Sequence, residues 1–152
     1  MKEMSEILGS HRLLAGMSSA ELDFLVGCAR LVSFTPGQLL LREGDAADTH
    51  YLVRRGHVAV DVHEPGRGSM VIETVGSGGV VGWSWIIAPY RWTFDARAID
   101  AVGAVAIDAA CLRAKLVADP RFGVAVLTRV SSELLSRLQS TRLRLLDLYG
   151  AP

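Results

Sequence analysis

A mainly β domain closed by helices at both ends is the fold class the sequence predicts, and three observations predict it. Between about residues 31 and 108, short β-rich runs follow one another closely, each ended by Gly, Pro or Asp. Before and after that region the apolar residues return to helical spacing. Half of the 152 residues are apolar, enough for one domain with a core of its own and too short a chain for two of ordinary size. Strands so closely spaced imply a sandwich or a rolled barrel.

The elements follow in order. Ser18 with Glu21 three residues on is a reciprocal helix cap, and a helix over about 19–29 is expected behind it. RLVSF, QLLLRE, HYLVRR, HVAVDVHE and SMVIETV are strands, parted by Thr35-Pro36-Gly37, Gly44-Asp45, Gly56 and Pro65-Gly66-Arg67-Gly68. Beyond a glycine cluster at 76–82, WTFDARAI and AVGAVAID bring the total to about eight. Asp108 is placed to cap AACLRAKLVA, and Asp119 precedes Pro120 at the first position of a last helix. No repeat, linker or low-complexity tract interrupts the chain. Residues 1–152 therefore read as a single domain, with the β region at about 31–108 and C-terminal helices at about 109–148.

Charge and composition exclude several functions. Sixteen basic and sixteen acidic residues cancel, so no overall field draws the chain to nucleic acid or to an anionic membrane. The N-terminus MKEMSEILGSHRLL has no apolar run of signal length, and nowhere are there about 18 consecutive apolar residues, which predicts a cytoplasmic protein. Cys28 and Cys111 stand in no CxxC spacing and are expected as buried free thiols. His50, His57 and His63 are never two apart on one strand face, so no metal is assigned. Ser84 lies in no Gly-x-Ser-x-Gly turn, so no catalytic residue is assigned either. A metal-dependent β-barrel enzyme is the remote alternative.

The run LLAGMSSAELDFLVGCARLVSFTPGQLLLREGDAADTHYLVRRGHVAV, with Pro36-Gly37, Glu43-Gly44-Asp45, Tyr51, Gly56 and the series Gly76-x-Gly78-x-x-x-Gly82, resembles the cyclic nucleotide-binding domains of catabolite activator-like regulators. The similarity runs from about residue 12 to 148. It implies an eight-stranded β-roll, jelly-roll-like, with an N-terminal helix and C-terminal helices. In that family a glycine and a glutamate open a short helix, and an Arg-Ser/Thr-Ala triplet begins the next strand. Helix-start amides and the arginine fork hold the cyclic phosphate, and the carboxylate takes the ribose hydroxyl.

The stretch GVVGWSWIIAPYRWTFDARA, residues 79–98, keeps the frame of that cassette and loses its chemistry. Gly82 matches the glycine, and residues 83–88 are expected as the short helix, ended before Pro89. Trp83 stands in place of the glutamate, Trp92 in place of the arginine, then Thr93, with Phe94 where a small alanine belongs. Arg91 is one residue early, which on a strand turns it away from the pocket. Losing one charge-assisted bond costs about 1.5–3 kcal/mol, so losing both partners lowers affinity on the order of 10³. The residues expected to face a ligand are Gly82, Trp83, Ser84, Trp85, Trp92 and Thr93, with Arg91 as a poor substitute for the arginine; the resemblance adds Thr141, which falls where the family's last helix lends a polar side chain to the base. The indoles either fill the pocket themselves or stack on a ligand.

In the last helix Leu127, Leu134, Leu138, Thr141, Leu145 and Leu148 alternate spacings of three and four, with Ser131 in the one gap, a coiled-coil seam. The resemblance implies a parallel homodimer through this helix. Val126, Val130, Leu135, Leu143 and Leu146 form a second apolar set expected to cover the β-roll. Arg129, Arg137, Arg142 and Arg144 are expected on a solvated face. The transcription factors of the family carry a helix-turn-helix after this helix, and the sequence ends without one, so no DNA-binding domain is expected. The reading is a non-enzymatic regulatory or adaptor module without a cofactor, a homodimer that passes its signal to a protein partner. The alternative is a sensor of a cyclic nucleotide or another planar or anionic ligand.

Overall fold

The computed structural model describes residues 3–150; residues 1, 2, 151 and 152 of the predicted domain lie outside them. Helix α1 (Met4–Ser10), a 3-10 turn (Arg12–Leu14) and helix α2 (Ser19–Val26) lead into eight strands. These are β1 (Ala29–Phe34), β2 (Leu39–Leu41), β3 (Thr49–Arg55), β4 (Val58–Glu64), β5 (Gly68–Val75), β6 (Val80–Val81), β7 (Asp95–Ala98) and β8 (Val102–Asp108). Helices α3 (Ala109–Ala118) and α4 (Pro120–Gly150) follow. The strands pair antiparallel in two four-stranded sheets, β1-β8-β3-β6 and β2-β7-β4-β5, the two halves of the β-roll.

The predicted caps are formed. Ser18 Oγ accepts from the Glu21 amide at 3.2 Å, and the Glu21 carboxylate accepts from the Ser18 amide at 3.0 Å. Asp108 accepts from the Cys111 amide at 2.9 Å and Asp119 from the Phe122 amide at 3.2 Å. α2 stops at Val26 rather than 29, because Ala29 is already paired with Ile107 as the first residue of β1. α1 has no counterpart among the expected elements. Its Leu8 is wholly buried, and it packs on α2.

β8 is the centre of its sheet, and Val102 to Ile107 are all buried. The strand has one face in the roll and the other under helices, so it reads as a continuous apolar run. Leu13, Leu14 and Leu25 meet Ile107, Leu112, Val126 and Val130 around a small void of about 20 Å³. This is the seam between the roll and its helical cover.

The two cysteines are not free. Cys28 and Cys111 form a disulfide, with Cα atoms 5.6 Å apart across a separation of 83 residues. The β1–β8 ladder is the reason: the Cys28 carbonyl accepts from the Asp108 amide at 2.8 Å, which brings the end of α2 against the first turn of α3.

Two expectations for α4 also change. Val126 and Val130 do cover the roll, but Leu135, Leu143 and Leu146 are exposed, and Leu143 and Leu146 lie beyond Arg137, the last residue of α4 bonded to a strand. Arg129 and Arg137 do not lie on a solvated face. Arg129 donates to the carbonyls of Leu13 and Ala15, and Arg137 to Glu73 and, at 3.0 Å, to the Val80 carbonyl. Arg142 and Arg144 are exposed as expected.

Candidate functional site

The cassette is a loop between β6 and β7, and its apolar side chains decide its shape. Residues 83–88 are turns rather than the expected helix. One bond, from the Ile86 amide to the Trp83 carbonyl at 3.3 Å, closes the first turn, and the Tyr90 amide to the Ile87 carbonyl at 3.0 Å closes the second. Trp85 turns inward to 1% exposure while Ile87 stays 69% exposed. Burying one indole removes on the order of 200 Å² from water, worth about 5 kcal/mol. That outweighs the few helical bonds forgone, each worth about 1 kcal/mol net.

Trp92 closes the pocket floor. It lies before β7, not within it, with its amide donating to the Asp45 carbonyl at 3.0 Å and its carbonyl accepting from Gly44 at 2.9 Å. Gly82 has φ +102°, and a Cβ placed on it would come within 2.6 Å of the Trp92 ring. The close approach that this glycine permits is therefore taken up by an indole of the same chain. Arg91, by contrast, is exposed, bridges to Ala46, and donates to the Gly44 carbonyl at 3.3 Å.

Behind the loop, His50 is stacked on Trp85 with centroids 4.6 Å apart and 6° between planes. Neither His50 nitrogen nor Trp85 Nε1 has a hydrogen-bond partner among the described residues. Burial pushes His50 down to about 3, so the ring is neutral at ordinary pH. Of the other two histidines in the strand region, His57 pairs with Asp100 at 2.7 Å and His63 is exposed. Among the described residues no group of three or more His, Cys, Asp or Glu is gathered as metal ligands.

Two arginines hold the cassette: Arg113, which no sequence pattern marks out, and Arg137, expected from the sequence on a solvated face. Arg113 of α3 donates to the Trp85 carbonyl at 2.7 Å and lies 4.2 Å over the Tyr90 ring. Arg137 of α4 lies 5.4 Å over the half-buried Trp83 ring while bonded to Glu73. Glu133 continues this network, 3.6 Å from Arg137 and bonded through both oxygens to Arg12 at 2.8 and 2.7 Å. The Arg12 guanidinium holds the Glu133 carboxyl below its usual range. Thr141 is exposed, its hydroxyl donating to the Arg137 carbonyl one turn back at 2.9 Å. On the outer side, Trp83, Ser84, Ile87, Arg91 and Thr93 line an open groove of about 380 Å³.

The seam residues Leu127, Leu134, Leu138, Leu145 and Leu148 are 40, 39, 46, 48 and 77% exposed. No helix of the described residues is long and apolar enough to cross a membrane.

The sequence profile of the cyclic nucleotide-binding domain matches residues 31–119, more than half of the chain. The chain belongs to the cyclic nucleotide-binding domain family. Its fold is similar to that of a putative cyclic nucleotide-binding protein from Geobacter metallireducens, with TM-score 0.79 and 27% identity over 88% of this chain and 97% of the other. A cyclic nucleotide-binding domain from Methylobacillus flagellatus is similar at TM-score 0.79 and 25% identity, covering 95% and 81% of the two chains. The catabolite activator protein of Thermus thermophilus shares the fold at TM-score 0.70 and 21% identity, over 91% of this chain and 62% of that one. Among curated proteins no sequence matches significantly. In the cyclic nucleotide-binding domain of this chain, Gly37, Gly44 and Gly56 all take positive φ in the turns between strands.

Proposed function

We propose that this chain is a non-enzymatic regulatory module whose nucleotide pocket is filled by its own side chains. The observation that carries the reading is the seat of Trp92, 4% exposed and packed against Gly82 where the family brings a phosphate to bare backbone. The module works as a homodimer through α4, without a cofactor, nucleic acid or membrane, and hands its signal to a protein partner by surface contact; in the cytoplasm, the localisation expected from the sequence, the Cys28–Cys111 pair would be reduced. The solvent-exposed leucine seam supports the dimer.

The test is a titration with cyclic AMP. At micromolar nucleotide neither the melting temperature nor the indole fluorescence should move, and all three indoles lie at the cassette to report it. Trp83→Glu with Trp92→Arg restores the carboxylate and the fork, and should introduce weak binding. Tight binding by the natural chain, abolished by Arg91→Ala, refutes the reading. The outer groove of about 380 Å³ favours one second reading, a sensor of a planar or anionic ligand lying on Trp83 beside Arg91. A metabolite that raises the melting temperature and loses its effect in Arg91→Ala would establish that reading instead.

A further inference from the structure

We propose that the cleft between α1, the 3-10 turn and the end of β3 is a second site, built for a phosphoryl dianion and separate from the cassette. Its volume is about 390 Å³, and Ser10, Arg12, Arg54, Arg55, Ser77 and Gly78 form its polar wall. That volume falls within the range of small-molecule sites, about 300–1,000 Å³.

The backbone brings the arginines together. Neighbours on a regular strand point to opposite faces, but the β3–β8 register shifts between Val53 and Arg55, so that Arg54 and Arg55 border the same cleft. The Ser77 hydroxyl donates to the Arg54 carbonyl at 2.8 Å and pins this bulge to the turn before β6. Arg55 lies across Gly103, where a Cβ would come within 2.9 Å of its Nε, so the bare strand is its platform. Arg12 is fixed from the other side by Glu133.

The charges in the cleft do not balance. No Asp or Glu lines it, and Glu133, which holds Arg12, is already shared between Arg12 and Arg137. Neither Arg54 nor Arg55 has a side-chain hydrogen bond or ion pair among the described residues. Two guanidiniums lining one concave site without a carboxylate among its walls raise the local potential, and a bound dianion offsets it. Their forks match phosphoryl oxygens two at a time, which a single carboxylate or chloride does not use as fully. The hydroxyls of Ser10 and Ser77 already donate to carbonyls, so recognition falls to the guanidiniums.

Calorimetric titration of the whole chain at low ionic strength tests this, with inorganic phosphate and glycerol 3-phosphate as probes and sodium chloride of matched ionic strength as control. One saturable site per chain is expected for at least one phosphate. Preference for the ester assigns the site to a phosphorylated metabolite, and preference for the free ion to phosphate itself. Arg54→Gln with Arg55→Gln should weaken binding at least tenfold, while Arg42→Gln, a surface arginine elsewhere, should leave it unchanged. Ser10→Asp adds a carboxylate to the cleft with both arginines in place and should also abolish binding, which decides the matter if the double variant does not fold. No saturable heat from either probe, or equal weakening by Arg42→Gln, overturns the proposal. So does binding retained in both the double variant and Ser10→Asp.

Discussion

At Gly82 the left-handed backbone and the Trp92 ring leave no room for a methyl group. Gly82→Ala should therefore destabilise the fold by about 2–4 kcal/mol, from strain and overpacking together. Urea unfolding measures it, and a loss below about 0.5 kcal/mol, the usual scatter of surface changes, would mean that the two groups are not in contact. His50 makes a different prediction. The unfolded ring takes a proton near its ordinary value of 6.5, whereas the folded one is held down to about 3 by burial. The unfolded state thus binds the extra proton between those values, so stability is full above about pH 6.5 and falls by about 1.4 kcal/mol per pH unit below it. His11 is lowered for the same reason and adds to the slope. His50→Phe keeps a ring against Trp85 and removes the proton site, so unfolding midpoints between pH 6.5 and about 5 should flatten. An unchanged slope excludes His50 as the source. Nothing in the run HYLVRR announced this, because β3 buries four successive residues from His50 to Val53 and alternation no longer distinguishes its faces.

α4 divides at the end of the roll. Up to Arg137 it is held by Phe122, Val126, Val130 and the Glu133 network, and beyond that its leucines meet solvent. An exposed seam at heptad spacing is a surface for a second helix. Light scattering should give twice 16.4 kDa, and Leu138→Lys, which sets charge against charge in an apolar contact, should give the single mass. A natural chain that scatters as a monomer at high concentration ends the dimer proposal. The heptad spacing of these leucines can be read without any knowledge of the fold. Which arginines turn inward was not, since Arg137 is distinguished from Arg142 only by the presence of Glu73 and Trp83 opposite it. The short cassette helix failed for a related reason: its residues suit a turn of helix, but the gain from burying Trp85 is larger and is decided by the tertiary pocket.

Across the whole molecule the succession of strands along the chain followed from turn residues, and the family frame was legible in its glycines. The Cys28–Cys111 bond was not, because two residues 83 apart become neighbours only after β1 has paired with β8. A bond closing so long a loop stabilises by roughly 2–4 kcal/mol, chiefly through the unfolded chain. Cys28→Ser with Cys111→Ser, or reduction, should lower the urea midpoint and steepen the denaturant slope, because the unfolded chain without the cross-link exposes more surface. A midpoint that does not move would show that the pair carries no stability. Trp92 on Gly82 has a further consequence for how such a module could be controlled. A diffusible ligand conveys information because its concentration varies, and it shifts an equilibrium only by its preference for one state. An indole tethered to the backbone has no concentration to vary. If Trp92 is that occupant, as proposed, the cassette holds one setting for as long as the domain is folded, and control falls to how many copies exist and what they touch elsewhere.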